Sequence, residues 1–180
     1  MEKTVSIIGA GLAGSEAALQ LAKRGFNVVL HEMRPDVQTD VHKTDSCAEL
    51  VCSNSLKSKK PESAAGMLKT ELSELGSFLY GFALDTEVSA GGALAVNREL
   101  FAEAVTKAVR ENEKITFVRG EVDSLEQAAK GAEALVIATG PLTSDSLASA
   151  LSSVIGGDYL AFYDAAAPIV MADSLDMTKV

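Results

Sequence analysis

Three groups of residues in this 180-residue sequence have types and spacings suited to chemistry. The first is Gly9-Ala10-Gly11-Leu12-Ala13-Gly14, a G-x-G-x-x-G run. The first glycine of such a run permits a tight turn, the second lets backbone approach a pyrophosphate, and the third allows a helix to pack closely on a strand. A helix N-terminus placed there favours the phosphate charge. Taken alone, a glycine turn can also serve packing only. Glu32 follows 23 residues after Gly9, where a carboxylate can accept both hydroxyl hydrogens of a ribose. The other reading of Glu32 is an ordinary strand-end acid. An acid at position 32, where a base would be needed, disfavours a 2′-phosphate and hence NADP. The second group is Cys52 and Cys47. Cys52 stands where apolar Leu50-Val51 meets polar Ser53-Asn54-Ser55, a setting for an accessible thiol facing a ligand, although a buried inert thiol fits the apolar side equally. Cys47 lies among Asp45, Ser46 and Glu49, whose charges would raise a nearby thiol's pKa. The third group is Lys57, Lys59 and Lys60, either a solvated loop or a local footprint for nucleic acid.

The elements that must position these groups are readable in part. Lys3 to Ile8 predicts a short buried strand, Gly9 to Gly14 a turn, Ser15 to Arg24 a helix closed by Gly25, and Asn27 to His31 a second strand. Together they make a βαβ unit, which requires a parallel sheet and a right-handed crossover. Met33 to Pro61 has no periodicity, as expected of a functional or disordered stretch. Glu62 to Gly76 predicts a helix with Ala65, Leu68, Leu72 and Leu75 on one face. The glycine-rich run Ser89 to Val96 suggests backbone approaching a ligand or another chain. Asn97 suits an N-cap for a helix through Glu111. Strands are expected at Ile115 to Arg119 and Glu133 to Ala138, and a helix at Ser144 to Ile155. Two short strands complete the reading, at Tyr159 to Tyr163 and Pro168 to Ala172.

Composition narrows the classes further. At 47% apolar residues the chain can bury a core, and no run of eighteen apolar residues predicts a membrane span. The N-terminus lacks a signal-peptide pattern, so a cytoplasmic location is the default. A net charge of −9 argues against a domain-wide basic footprint. Between Lys23 and Lys60, however, seven basic residues face five acidic ones, a local +2. The two cysteines have neither zinc-ligand companions nor the setting for a structural disulfide, so no metal is expected.

Six blocks now occur in order. They are Gly9–Gly14, Glu32-Met33-Arg34-Pro35, Ala48-Glu49-Leu50-Val51-Cys52-Ser53-Asn54-Ser55-Leu56, Ala90-Gly91-Gly92-Ala93-Leu94-Ala95-Val96, Ala138-Thr139-Gly140-Pro141-Leu142-Thr143-Ser144 and Tyr163-Asp164-Ala165-Ala166-Ala167-Pro168-Ile169-Val170. The glycine run and the Ala138-Thr139-Gly140 turn look like those of the large FAD-dependent class. Over its whole length the sequence closely resembles the folate- and FAD-dependent tRNA (uracil-5-)-methyltransferase family, TrmFO. The resemblance implies an α/β, Rossmann-like FAD-binding domain of the two-dinucleotide-binding flavoprotein class. Gly9, Ala10, Gly11, Leu12, Ala13, Gly14, Glu32, Arg34, Val122 and Gly140 would then contact the cofactor, with Val122 doing so through backbone near the adenine. It also implies that methylenetetrahydrofolate donates a one-carbon unit through reduced flavin to C5 of a T-loop uridine, with NADH or NADPH as reductant. Uracil C5 is a poor nucleophile until a thiolate adds at C6, and covalent catalysis of this kind splits one hard step into easier ones. Cys52 matches a family cysteine thought to take part in that chemistry, as uracil nucleophile or in another role. Asn54, Lys57, Lys59 and Lys60 are the residues expected to meet RNA.

Family members are well over twice as long, so the resemblance implies an N-terminal portion cut short at Val180. The expected organisation is a βαβ core at 1–34, a cysteine-bearing loop at 35–61, a helical and glycine-rich segment at 62–111 and a return of the sheet at 112–143. An inserted or second domain would begin at about 144–180. A ribosomal-RNA uridine methyltransferase on the same scaffold and a non-catalytic FAD-binding module are the competing readings.

Overall fold

The computed structural model describes residues 3–156. Strand β1 (Thr4–Ile8) buries four of its five residues and runs into the glycine turn. Helix α1 (Leu12–Lys23) begins inside the G-x-G-x-x-G run, three residues earlier than its apolar pattern predicts. The turn needs only Gly9 to Gly11, and Gly14 already belongs to the helix, where it packs against the turn. Strand β2 (Asn27–Glu32) returns parallel to β1, with Thr4 opposite Asn27 and Ile8 opposite His31. Strand β6 (Ile115–Arg119) adds outside β2, and β7 (Ala134–Ile137) pairs with the other edge of β1. The result is a four-stranded parallel sheet in the order β6-β2-β1-β7, so the α/β fold class is as read from the sequence.

A parallel sheet must be covered on both faces. Val5, Ile7, Val28 and Leu30 point to one face. There α1, α3 (Phe78–Asp85) and α4 (Arg98–Arg110) close a core that contains Leu79, Phe101, Val105 and Val109. Ile8 points to the other face and meets Ala128 of α5 (Leu125–Ala129) with Leu147 and Leu151 of α6 (Asp145–Ile155).

A second sheet was not expected. It is antiparallel, in the order β3-β5-β4, formed by β3 (Ser55–Ser58), β5 (Ala93–Val96) and β4 (Glu87–Val88). The glycine-rich run is therefore a strand and its approach, and the backbone it meets is this chain's own β3. The helix foreseen at 62–76 is α2 (Ala64–Glu74), capped by Ser63, but its inward face differs from the one expected. Leu68 and Leu75 are 54% and 74% exposed, whereas Gly66 and Lys69 are the buried residues. Gly66 sets this rotation, because a Cβ there would stand 1.8 Å from the Lys60 carbonyl oxygen and backbone fills that space. The strands expected at 159–163 and 168–172, and the block from Tyr163 to Val170, lie outside the described residues.

The contact between α1 and the turn can be tested by one methyl group. A Cβ on Gly14 would stand 1.8 Å from the Gly9 carbonyl oxygen, which cannot move without opening the turn. Gly14→Ala should lower stability by about 2 kcal/mol or more, read as a shift of the urea midpoint at unchanged m-value. An unchanged midpoint would contradict the packing.

Candidate nucleotide-binding site

A cleft of about 310 Å³ opens at the C-terminal ends of the parallel strands, lined by Ile8, Glu32, Gly120 and Ala138 where those strands end. The chain steps from β1 outward to β2 and β6 and then returns to the opposite edge at β7. The cleft thus lies where the strand order reverses, the place at which open α/β sheets bind ligands.

The glycine turn forms one wall. Gly9 has φ +98°, and a Cβ there would meet the Ala138 carbonyl oxygen at 2.8 Å. Gly11 is the residue before α1, with φ −69° and ψ −166°, and a Cβ on it would meet nothing within 4 Å. Its glycine is therefore not required by the protein's own packing, and the open space it leaves faces the cleft. Helix α1 also lacks a capping side chain, whereas α2 to α6 are capped by Ser63, Ser77, Asn97, Ser124 and Ser144. The first amide N–H groups of a helix have no partner within it. Those of α1 can donate to an anion in the cleft, and the residues present fit a pyrophosphate.

Glu32 is buried, at 5% exposure. Its Oε2 accepts the Ala10 N–H at 2.9 Å, and its Oε1 accepts Arg34 N–H at 3.1 Å and Arg34 Nε–H at 2.8 Å. Two oxygens offer about four acceptor positions, and three are filled from within the chain. The remaining one, on Oε2, leaves room for a single ribose hydroxyl, fewer than the two that the spacing suggested. Burial pushes this carboxyl upward, but the hydrogen bond and charge of Arg34 and the N–H of Ala10 outweigh it and hold the pKa below the usual value.

Arg34 is 2% exposed and reaches a second carboxylate, with Nη1 3.0 Å from Glu49 Oε2 and 3.3 Å from the Thr44 carbonyl oxygen. Glu49 in turn accepts Lys43 N–H at 2.8 Å, Thr44 N–H at 3.2 Å and the Thr44 hydroxyl at 3.0 Å. Ala48 N–H donates to the Ala10 carbonyl at 2.8 Å, so the aperiodic segment leans directly on the glycine turn. Its order comes from side chains bonding to backbone, which leaves no periodic trace in sequence.

The sequence from 4 to 180 matches the family described as Glucose inhibited division protein A. The chain belongs to the Glucose inhibited division protein A family. Within the curated relatives it is 54% identical over 179 residues to Methylenetetrahydrofolate–tRNA-(uracil-5-)-methyltransferase TrmFO of Bacillus subtilis, covering 99% of this chain and 40% of that protein. It is 53% identical to the protein of the same name from Rhodopseudomonas palustris, covering 98% of this chain and 37% of that one. The chain thus spans about 40% of the length of the curated relatives it matches. Among solved structures it is similar to a GidA-related protein from Thermus thermophilus, 18% identical with a TM-score of 0.44, covering 78% of this chain and 54% of that one.

In this member of the Glucose inhibited division protein A family, Gly9, Gly11, Leu12, Ala13, Glu32, Arg34, Val122 and Gly140 line the cleft. Ala10 and Gly14 are buried behind it and serve the turn. Cys52, Asn54, Lys57, Lys59 and Lys60 do not line it, although Val51, next to Cys52, does. Cys52 is exposed and Cys47 is fully buried. Burial pushes the Cys47 thiol upward, more than the Thr106 hydroxyl lowers it, and Glu32 adds to the rise. The carboxylate invoked from sequence neighbours is thus a different one. Asn54 donates from Nδ2 to the Val96 carbonyl at 3.1 Å and ties β3 to β5. Lys59 pairs with Glu87. Sequence reasoning missed His31, His42 and Glu49 in the cleft wall. Glu49 stood in a quoted block, but its partner Arg34 is fifteen residues away at no recognisable spacing. Among the described residues no cluster could hold a metal ion, and no helix is long and apolar enough to cross a membrane.

Two measurements probe this wall. Glu32 is ionised in the fold at lower pH than in the unfolded chain, so its contribution is complete above the ordinary carboxylate range, about pH 4, and is lost as pH falls through it. Glu32→Gln should flatten the loss of urea stability on acidification there, and an unchanged acid limb would show that the carboxylate is not held as described. Gly11→Leu should leave the unliganded melting temperature within a few degrees and abolish the rise that a bound dinucleotide causes. If the rise persisted, backbone approach at Gly11 would not be needed.

Proposed function

We propose that this chain is the nucleotide-binding part of a folate- and FAD-dependent enzyme that methylates C5 of uridine in the T-loop of tRNA. The observation that carries the reading is the cleft wall itself. It combines an uncapped helix N-terminus behind open Gly11 with buried Glu32, in a chain 54% identical to a relative named as a methylenetetrahydrofolate–tRNA-(uracil-5-)-methyltransferase. The α1 amides would receive the pyrophosphate, Glu32 Oε2 a ribose hydroxyl, and the backbone near Val122 the adenine. Bound FAD would supply the relay of the one-carbon unit from methylenetetrahydrofolate to uracil C5 and, once reduced by NADH or NADPH, the hydride that completes the methyl group. A cytoplasmic location belongs to the same reading.

The chain's own chemical contribution would be Cys52. Its exposure gives a substrate base access to Sγ, and its neighbour Val51 lines the nucleotide cleft. As thiolate it would add at C6 of uracil, which makes C5 nucleophilic. Cys47 lacks access, and burial holds its proton on.

The test compares Cys52→Ala and Cys47→Ala in an enzyme of the relatives' full length, with flavin content measured in each. Cys52→Ala should keep its flavin and lose methyl transfer by at least about 10³-fold, mainly in kcat, because a covalent nucleophile is not replaced by positioning. Cys47→Ala should stay within a few-fold. Near-normal turnover by Cys52→Ala would remove the thiol from the mechanism.

A further inference from the structure

The sequence contains two histidines, and both line the cleft. Their surroundings differ. His31 stands opposite Ile8, which packs with Leu147 and Leu151, and its Nε2 is buried without a partner among the described residues. A charge on that ring would be costly. His42 lies on the segment that leans on the glycine turn. The next residue, Lys43, donates its N–H to Glu49 Oε1 at 2.8 Å, and Ala48, beside Glu49, donates its N–H to the Ala10 carbonyl at 2.8 Å. His42 Nδ1 is 2.6 Å from Thr39 Oγ1, and that hydroxyl accepts the His42 backbone N–H at 3.4 Å. The hydroxyl hydrogen is then free to go to Nδ1, which assigns the proton of the neutral ring to Nε2. Among the described residues Nε2 has no hydrogen-bond partner.

The wall around this ring is acidic. Among the described residues, the carboxylates of Glu32, Glu49 and Glu121 line the cleft against a single guanidinium, that of Arg34, which Glu32 and Glu49 already share. Lys43 does not line the cleft, and its ammonium donates to the Asp40 carbonyl at 3.2 Å. A dinucleotide brings the two negative charges of its pyrophosphate, and the N-terminus of a helix such as α1 offsets only about half a charge. Burial and Arg34 lower the pKa of His42 more than Glu49 and Glu32 raise it, so the ring is neutral at about pH 7 before a ligand arrives. An anion close by favours the charged form of a histidine. We propose that His42 is a pyrophosphate-binding residue that takes up one proton from solvent as the dinucleotide enters the cleft. This rests on the reading of the cleft as a dinucleotide site. Nε2–H donates to a phosphate oxygen, the added proton goes to Nδ1, and the Thr39 hydroxyl turns from donor to acceptor. The ring thus gains its charge with both nitrogens paired. The coupling is reciprocal, so the proton raises affinity for the nucleotide as the nucleotide raises affinity for the proton. Affinity is greatest below the histidine pKa of the free protein and falls as pH rises through the higher pKa of the bound form.

The experiment titrates the purified protein with FAD by calorimetry at about pH 6, 7 and 8, in buffers of low and of high ionisation enthalpy. FAD itself has no group that titrates in this range. Binding should be several-fold tighter at the lowest pH than at the highest, and the difference in heat between buffers should report uptake of part of one proton at about pH 7. His42→Gln, which can donate but cannot be charged, should lose both the uptake and the pH dependence and keep the parent's high-pH affinity. His42→Lys, charged throughout, should bind at every pH as the parent does at the lowest. Proton NMR of the parent gives a second reading that needs no variant. Of its two histidine signals, the one with an Overhauser contact to Thr39 should titrate at higher pH with FAD than without it. If FAD binds equally across the range with no proton uptake, His42 has no such role and the dinucleotide reading stands. If the protein binds no FAD at any pH, both fall. Uptake that persists in His42→Gln would assign the proton to His31 and overturn the inference. Uptake with FAD but not with ADP-ribose, which has the same pyrophosphate and no flavin, would place His42 at the flavin end and overturn it equally.

Discussion

The carboxylate of Glu32 joins the two parts of the molecule that the cleft needs. Through Oε2 it holds the Ala10 N–H and so the shape of the glycine turn, and through Oε1 it holds the backbone and side chain of Arg34. Arg34 passes the constraint on to Glu49, which gathers Lys43 and Thr44, and Arg119 closes the other side by donating to the Arg34 carbonyl and pairing with Asp45. Remove this acid and both the turn and the cysteine-bearing segment lose a shared anchor. Deleting one partner of a buried ion pair typically costs about 3 to 5 kcal/mol, because the other charge is left behind.

That arrangement explains how an aperiodic stretch of more than twenty residues can be ordered inside an acidic chain. Leu50 packs in the main core, Cys47 N–H donates to the Thr106 hydroxyl of α4 at 2.9 Å, and Ala48 is bonded to Ala10. The segment is thereby fixed at its middle, while Cys52, a few residues on, is left at the surface. The buried thiol and the exposed thiol differ in their distance from these anchors, and their access to solvent differs accordingly.

The parts legible in the sequence were those with one dominant period or cap. The βαβ unit, Asn97 at the start of α4 and Ser144 at the start of α6 emerged with small shifts of boundary. Helix α3 went unread because Phe78–Asp85 is apolar almost throughout and offers no polar face to set the period. Helix α5 has only five residues, and β3, β4 and β5 have two to four, too short for alternation to register. The inward face of α2 was misread because leucines were expected to point in, whereas Gly66 must meet the Lys60 backbone and carries Lys69 inward with it. In the cleft, Gly9 to Gly14 and Glu32 were legible from spacing. Arg34 fills Glu32 from only two residues away, a local contact that the spacing from Gly9 does not register, whereas the part of Glu49 depends on chain reversal between 34 and 49, which no local pattern encodes.

The central claim is that the cleft at the strand ends is a site for one FAD. Native mass spectrometry of the purified protein, followed by identification of the nucleotide released on denaturation, tests it most directly. The account predicts a population heavier than the bare chain by the mass of one FAD, and FAD as the released species. Release of NAD or FMN from that population, or failure of the protein to take up FAD when it is supplied in excess, would contradict it.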